Sequence, residues 1–209
     1  MNGSAAAVSI ARTSWLLALR DLKAQRARSI LAPLWPGVAP VGQALIIFAI
    51  ARTALGPRTP HYFSSLLLGC LVWAHLAACI AAALPSIVDG GAAVRRGGMP
   101  VLALPLGAVL RVSATLAPYL LVGVVIANID SGGVHPGWLL LAVLVQLVAV
   151  GCVATAFAIG HVFVRSLRYG ADLALQVGFY ATPIILPLQH YPDSLRGIVR
   201  WLPTTALVE

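Results

Sequence analysis

Six carboxylates and five histidines are the side chains through which this 209-residue chain could carry acid–base or metal chemistry. The carboxylates Asp21, Asp89, Asp130, Asp172, Asp193 and Glu209 are spread one or two to a connecting segment. None lies in the middle of an apolar run, where proton-coupled transporters place their ionisable groups. The histidines His61, His75, His135, His161 and His190 show no H-E-x-x-H or similar ligand spacing, so no metal site is expected. Cys70 and Cys79 would point to opposite faces of one helix. With Cys152 they read as small apolar residues, because no CxxC pair exists. A phosphate-cradling G-x-x-x-x-G-K-[ST] loop is absent, since the one lysine, Lys23, follows Leu22. Any nucleotide used by this chain is therefore expected on another polypeptide, with no cofactor bound directly.

Two polar residues fall inside apolar runs. His75 lies near the centre of one, where a neutral imidazole hydrogen-bonded to a neighbouring helix is the ordinary role and contact with substrate or a proton the alternative. Arg111 lies in the cytoplasmic third of another. Snorkelling of its head to the interface competes there with contact to an anionic substrate. Trp73, Tyr119, Phe157, Phe179 and Tyr180 lie deep in the runs and either pack there or offer flat faces to a sugar. Trp35, Tyr62, Phe63, Trp138, Tyr191 and Trp201 fall near run ends, the usual place of an aromatic belt.

The elements that must position these residues follow from composition. Hydrophobic residues make up 60% of the chain and charged residues 10%, too few to cover a water-facing surface. The expected fold is an all-α integral membrane protein. A spanning helix needs about 20 apolar residues, and five runs qualify: 34–55, 62–84, 103–127, 138–160 and 171–187. Asp172, Pro183 and Pro187 make the fifth the weakest. The semi-apolar 188–209 reads as an external re-entrant or interfacial segment, and the chain stops as though another span should follow. Residues 1–209 are thus expected to form a single transmembrane domain. The short patch Trp15–Leu19, followed by charges, does not read as a cleavable signal peptide.

The net charge of +8 is distributed between these runs, which favours retention of basic loops on the cytoplasmic side over nucleic acid as a partner. An N-terminus in the cytoplasm places Arg12, Arg20, Lys23, Arg26, Arg28, Arg95, Arg96, Arg165 and Arg168 inside, against Arg52, Arg58, Arg196 and Arg200 outside. Residues 12–30 lack an internal proline and predict a helix with Trp15, Leu19 and Leu22 on one stripe, lying in the inner headgroup layer near anionic membrane lipids. The prolines Pro33, Pro36 and Pro40 then end it and turn the chain into the first span. The loop 85–100, PSIVDGGAAVRRGGMP, carries a compact AAVRR segment between two glycine pairs. It reads as a short helix tipped by Arg95 and Arg96 or as an ordinary basic loop. Ala74, Ala78 and Ala82 give the second span a small-residue face suited to close helix packing.

The order of these pieces resembles the membrane-spanning permease of ABC-type polysaccharide and polyol-phosphate exporters, which move O-antigen (lipopolysaccharide), capsule and teichoic acid chains. RDLKAQRARSILAPLWPGVAP is similar to that family's R-D-[LI]-K-x-R-Y-x-x-S-x-L-G-x-L-W-x-x-[LI]-x-P opening. AAVRRGGMPVLALPL resembles N-x-x-L-I-x-K-x-x-F-P-x-x-x-L-P-L, and FVRSLRYGADLALQVGFYATPIILP resembles the stretch ending in F-[FY]-x-[ST]-P-I-x-Y-P. LLLGCLVW and WLPTTALVE keep the same order. Departures are Ala32 for glycine, Met99 for phenylalanine, Ser166 for aspartate and Leu202 for asparagine, and five spans where the family pattern has six.

The resemblance implies a non-enzymatic half-transporter in the bacterial cytoplasmic (inner) membrane. A second copy of the permease would complete the conduit, and a cytoplasmic ATPase dimer would bind and hydrolyse ATP. Arg20 and Lys23 on the first helix, with Asp89, Arg95 and Arg96 in the 85–100 loop, would couple to that ATPase. Trp73, His75, Arg111, Tyr119, Phe179 and Tyr180 would be candidates for the path of a lipid-linked glycan or polyol phosphate. The alternatives are an ABC-type permease for a drug or small lipid, and, from another class, an intramembrane enzyme or scaffold in cell-envelope glycan synthesis. The dispersed carboxylates weigh against the enzyme.

Overall fold

A computed structural model describes residues 3–28, 31, 34–55, 61–97, 99–130 and 136–182. Every regular element among them is helical: α1 (Gly3–Arg28), α2 (Trp35–Leu55), α3 (Tyr62–Ala83), α4 (Ser86–Asp89), α5 (Gly91–Arg95), α6 (Ala103–Asp130), α7 (Pro136–Phe163) and α8 (Leu167–Ala181). Four segments are long and apolar enough to cross a membrane: Trp35–Thr53, Tyr62–Asp89, Ala103–Asp130 and Leu141–Phe163. The chain is an all-α, multi-pass membrane protein. The first four expected spans coincide with α2, α3, α6 and α7 to within a few residues. The fifth is described only in part. α8 supplies 15 residues and begins earlier than expected, and Pro183 and the 188–209 segment lie outside the described residues.

Local sequence explains where the helices start and stop. α1 begins nine residues before the expected Arg12, because SAAAVSIA contains nothing that interrupts a helix. Pro136 opens α7, where a missing N–H costs nothing. Pro40 and Pro118 lie inside α2 and α6 and each removes one rung of the hydrogen-bond ladder. After α3, the Ser86 hydroxyl donates to the Ala83 carbonyl at 2.6 Å, starting the turn into α4. The 85–100 loop therefore holds two short helices, α4 and α5, with the expected AAVRR turn in the second.

Packing divides the chain into two compact units, one of Met1–Pro33, His75–Thr115 and Leu147–Leu173, the other of Leu34–Ala74, Leu116–Gln146 and Ala174–Glu209. The helices α3, α6, α7 and α8 each contribute to both. In the first unit the buried residues are mostly small: Ser14, Ala18, Cys79, Ala83, Ala103, Ala154, Ala158 and Ala171. Without a hydrophobic drive between helices in lipid, small side chains gain contact by letting backbones approach. In the second unit Ala44, Leu66, Leu67, Cys70, Leu71 and Phe179 form the core, with Phe48, Tyr62, Phe63, Trp73 and Tyr119 packed against it.

The packing face of α1 differs from the expected Trp15–Leu19–Leu22 stripe. Ser14 and Ala18, one turn apart, are buried, whereas Trp15 and Leu16 are each 55% exposed. The Ser14 hydroxyl satisfies itself on the Ile10 carbonyl at 2.8 Å. A stripe of large apolar side chains marks a buried face in water, but in a membrane protein it is as well placed against lipid.

Candidate functional site

The residues singled out for ATPase coupling all fall in the first unit. Ten of the eleven described lysines and arginines are there, Arg52 being the exception. Arg20 and Lys23 are exposed on α1, and Arg20 pairs with its neighbour Asp21 at 3.0 Å. So exposed an adjacent pair contributes little to stability. Asp89 at the end of α4 and Arg95 and Arg96 at the end of α5 are exposed and form no ion pair among the described residues. They leave a charged tip available to a partner.

Glycines fix the shape of this tip. Gly90 joins α4 to α5, and a Cβ on it would stand 2.5 Å from Leu104 Cδ1 and 2.8 Å from the Ser86 carbonyl oxygen. Only glycine fits there. Gly97 has φ +86°, a conformation that returns the chain toward α6 and that other residues avoid.

The substrate-path candidates separate into two groups. His75 and Arg111 belong to the first unit. His75 is buried, and its Nε2 lies 2.8 Å from Ser113 Oγ on α6, the interhelical hydrogen bond expected of a neutral imidazole. One turn along, the Cys79 thiol donates to the Val109 carbonyl at 3.9 Å. Arg111 is half-buried, and its carbonyl accepts a bond from the Thr115 hydroxyl at 2.9 Å.

Trp73, Tyr119, Phe179 and Tyr180 belong to the second unit. The Trp73 and Phe179 rings meet edge to face at 6.2 Å, and Phe179 meets Tyr180 likewise at 5.2 Å. Gly178 makes this possible, because a Cβ there would come within 2.9 Å of the Trp73 ring. Phe179 is buried while Tyr180 is 69% exposed, so of this trio only Tyr180 presents a broad open face. Tyr119 has a packing role: its hydroxyl donates to the Leu34 carbonyl at 3.1 Å, and its ring covers Gly37 at the start of α2. Tyr62 and Phe63, expected in an interfacial belt, both pack on Phe48, at 6.2 and 5.1 Å between ring centres. Trp138 has no described side chain, and Tyr191 and Trp201 lie outside the described residues.

One polar cluster was not foreseen. Asp130 at the end of α6 pairs with His61 Nδ1 at 3.0 Å and accepts a hydrogen bond from the Ser64 hydroxyl, clasping α6 to the first turn of α3. His61 adopts φ 66°, a left-handed conformation uncommon outside glycine. These residues are too far apart in the chain for spacing to reveal them.

No family model matches the chain. Two O-antigen export system permease proteins named RfbA, both from Klebsiella pneumoniae, are similar to it over 197 residues at 24% and 23% identity. Each alignment covers 90% of this chain and 74% of the relative. The resemblance to polysaccharide-export permeases drawn from the ordered motifs is thereby borne out along nearly the whole chain.

Proposed function

We propose that this chain is the permease subunit of an ATP-driven exporter that moves a lipid-linked polysaccharide or polyol phosphate across the bacterial cytoplasmic membrane. The observation that carries the proposal is the similarity to O-antigen export permeases over 90% of the chain. Concentration of the described basic residues in one unit supports a cytoplasmic placement for that unit, and with it a cytoplasmic N-terminus. In this reading two permease copies form the conduit, and two ATPase subunits bind ATP beneath them. Asp89, Arg95 and Arg96, with Arg20 and Lys23 on α1, face the ATPase. Tyr180, backed by Phe179 and Trp73, offers a stacking surface to the glycan, with Arg111 and His75 as further candidates on its path. The permease breaks no covalent bond; its work is to change shape when the ATPase closes on ATP.

The test is co-expression of the full chain with the ATPase encoded beside it. The two are expected to purify together and to hydrolyse ATP. Reversing both tip charges, Arg95→Glu with Arg96→Glu, is expected to weaken the association. Unchanged association in that variant would overturn the coupling role, and a wild-type chain that recruits no ATPase would overturn the export reading.

A further inference from the structure

Two separate parts of the chain converge on one turn of α6. Leu104 lies over Gly90, so the α4–α5 turn rests on it with no space for a Cβ between them. Three residues along, Gly107 faces α1. A Cβ there would stand 3.1 Å from Leu17 Cβ and 3.2 Å from the Ser14 carbonyl oxygen, so the α1 backbone runs directly against α6. Positions three apart share a helix face. Ala103, Pro105 and Gly107 are buried between these contacts. Within the next two turns α6 is fastened to α3 by the Val109–Cys79 and Ser113–His75 hydrogen bonds. All these residues belong to the first unit.

We propose that residues 103–107 are the mechanical node of the exporter, with Leu104 and Gly107 as positioning residues that join the α4–α5 turn and α1 into one rigid body with α6. The inference rests on the export reading and deepens it. The ATPase has two handles on the permease, α1 and the α4–α5 tip, and both deliver their displacement to the same turn of α6. Close-packed backbones suit this task. A contact made through flexible side chains absorbs a small displacement, whereas backbone against backbone transmits it.

The test uses the full chain with its ATPase, reading ATP hydrolysis by the purified complex and lectin-detected glycan on the surface of host cells. Gly107→Leu is expected to leave assembly with the ATPase intact and hydrolysis little changed, while surface glycan falls by roughly tenfold. Adding Leu17→Ala, which makes room for the new side chain, is expected to restore much of the loss. Undiminished glycan in Gly107→Leu would overturn the node, as would a loss that Leu17→Ala leaves unrelieved.

A reversible lock covers the case in which Gly107→Leu does not fold. In a Cys152→Ser background, Leu17→Cys with Gly107→Cys places two Cβ atoms close to the spacing of a disulfide. A rigid node predicts that the oxidised complex still exports. Loss of export on oxidation, regained on reduction, would show α1 sliding over α6 and overturn the proposal. A wild-type complex that neither assembles nor displays glycan would instead remove the export reading on which the node depends.

Discussion

The two units are built largely from the same helices, yet they are held together by different chemistry. The unit containing α1, α4 and α5 buries alanine, serine, cysteine and glycine, and it carries ten of the eleven described basic residues. The other holds nine of the thirteen described aromatic residues and a core of leucines and rings. Unsatisfied polar groups follow the same division. Among the described residues, the buried side-chain atoms without a hydrogen-bond partner are Gln25 Oε1, His75 Nδ1, Thr155 Oγ1 and His161 Nδ1, all in the small-residue unit. One unit gains stability from backbone proximity and tolerates polar groups; the other gains it from side-chain volume.

The comparison breaks most readily by adding bulk to the first unit. Ala158 on α7 is fully buried, so Ala158→Phe has no space to enter and is expected to cost about 3 kcal/mol. The native cysteines report where the damage falls, since Cys79 is buried in this unit and Cys70 in the other. With Cys152→Ser as background, maleimide labelling of Cys79 is expected to rise while Cys70 stays protected. Labelling of both to the same extent would mean that the units do not respond separately.

Removing volume from the second unit is the converse test. Phe179→Ala takes a buried ring from between Trp73 and the leucine core, a change worth about 3 kcal/mol in a well-packed site. The figure is an upper bound here, because lipid solvates apolar groups in the separated state. A drop in thermal midpoint in detergent, with Cys70 becoming reactive before Cys79, is the expected result. Equal reactivity would sink the assignment of Phe179 to one core.

A smaller effect is expected at the His75–Ser113 bond. A double-mutant cycle with His75→Leu and Ser113→Ala should give a coupling of about 0.6 kcal/mol, the mean for interhelical hydrogen bonds in a membrane protein. A coupling near zero would leave His75 free for a role on the substrate path.

How much of this was legible in the sequence varies by interaction. Composition and run length place α2, α3, α6 and α7, because the bilayer sets one length for every span. The glycine pairs around AAVRR anticipate α5, since backbone freedom there is local. The buried face of α1 is not legible in the same way. Trp15 and Leu16 dominate any apolar stripe, but in lipid the informative residues are the small ones, Ser14 and Ala18, whose value depends on Gly107 far along the chain. Aromatic residues are ambiguous for a related reason. Tyr119 and Tyr180 look equivalent in sequence, and only packing shows one covering Gly37 and the other open.

The smallest expected effect belongs to the clasp in the second unit. Asp130 joins α6 to His61 and Ser64 of α3, and its side chain and that of His61 remain 42% and 49% exposed. Water and salt screen a pair so open. Asp130→Asn keeps an acceptor for the Ser64 hydroxyl but removes the charge facing His61, so its thermal midpoint should fall between wild type and Asp130→Ala. The gap between wild type and Asp130→Asn should narrow as salt is raised from low to high ionic strength, because only the charge is screened. If Asp130→Asn instead matched Asp130→Ala at every salt concentration, the Ser64 hydrogen bond would contribute nothing. The aromatic core would then hold this end of α3 unaided.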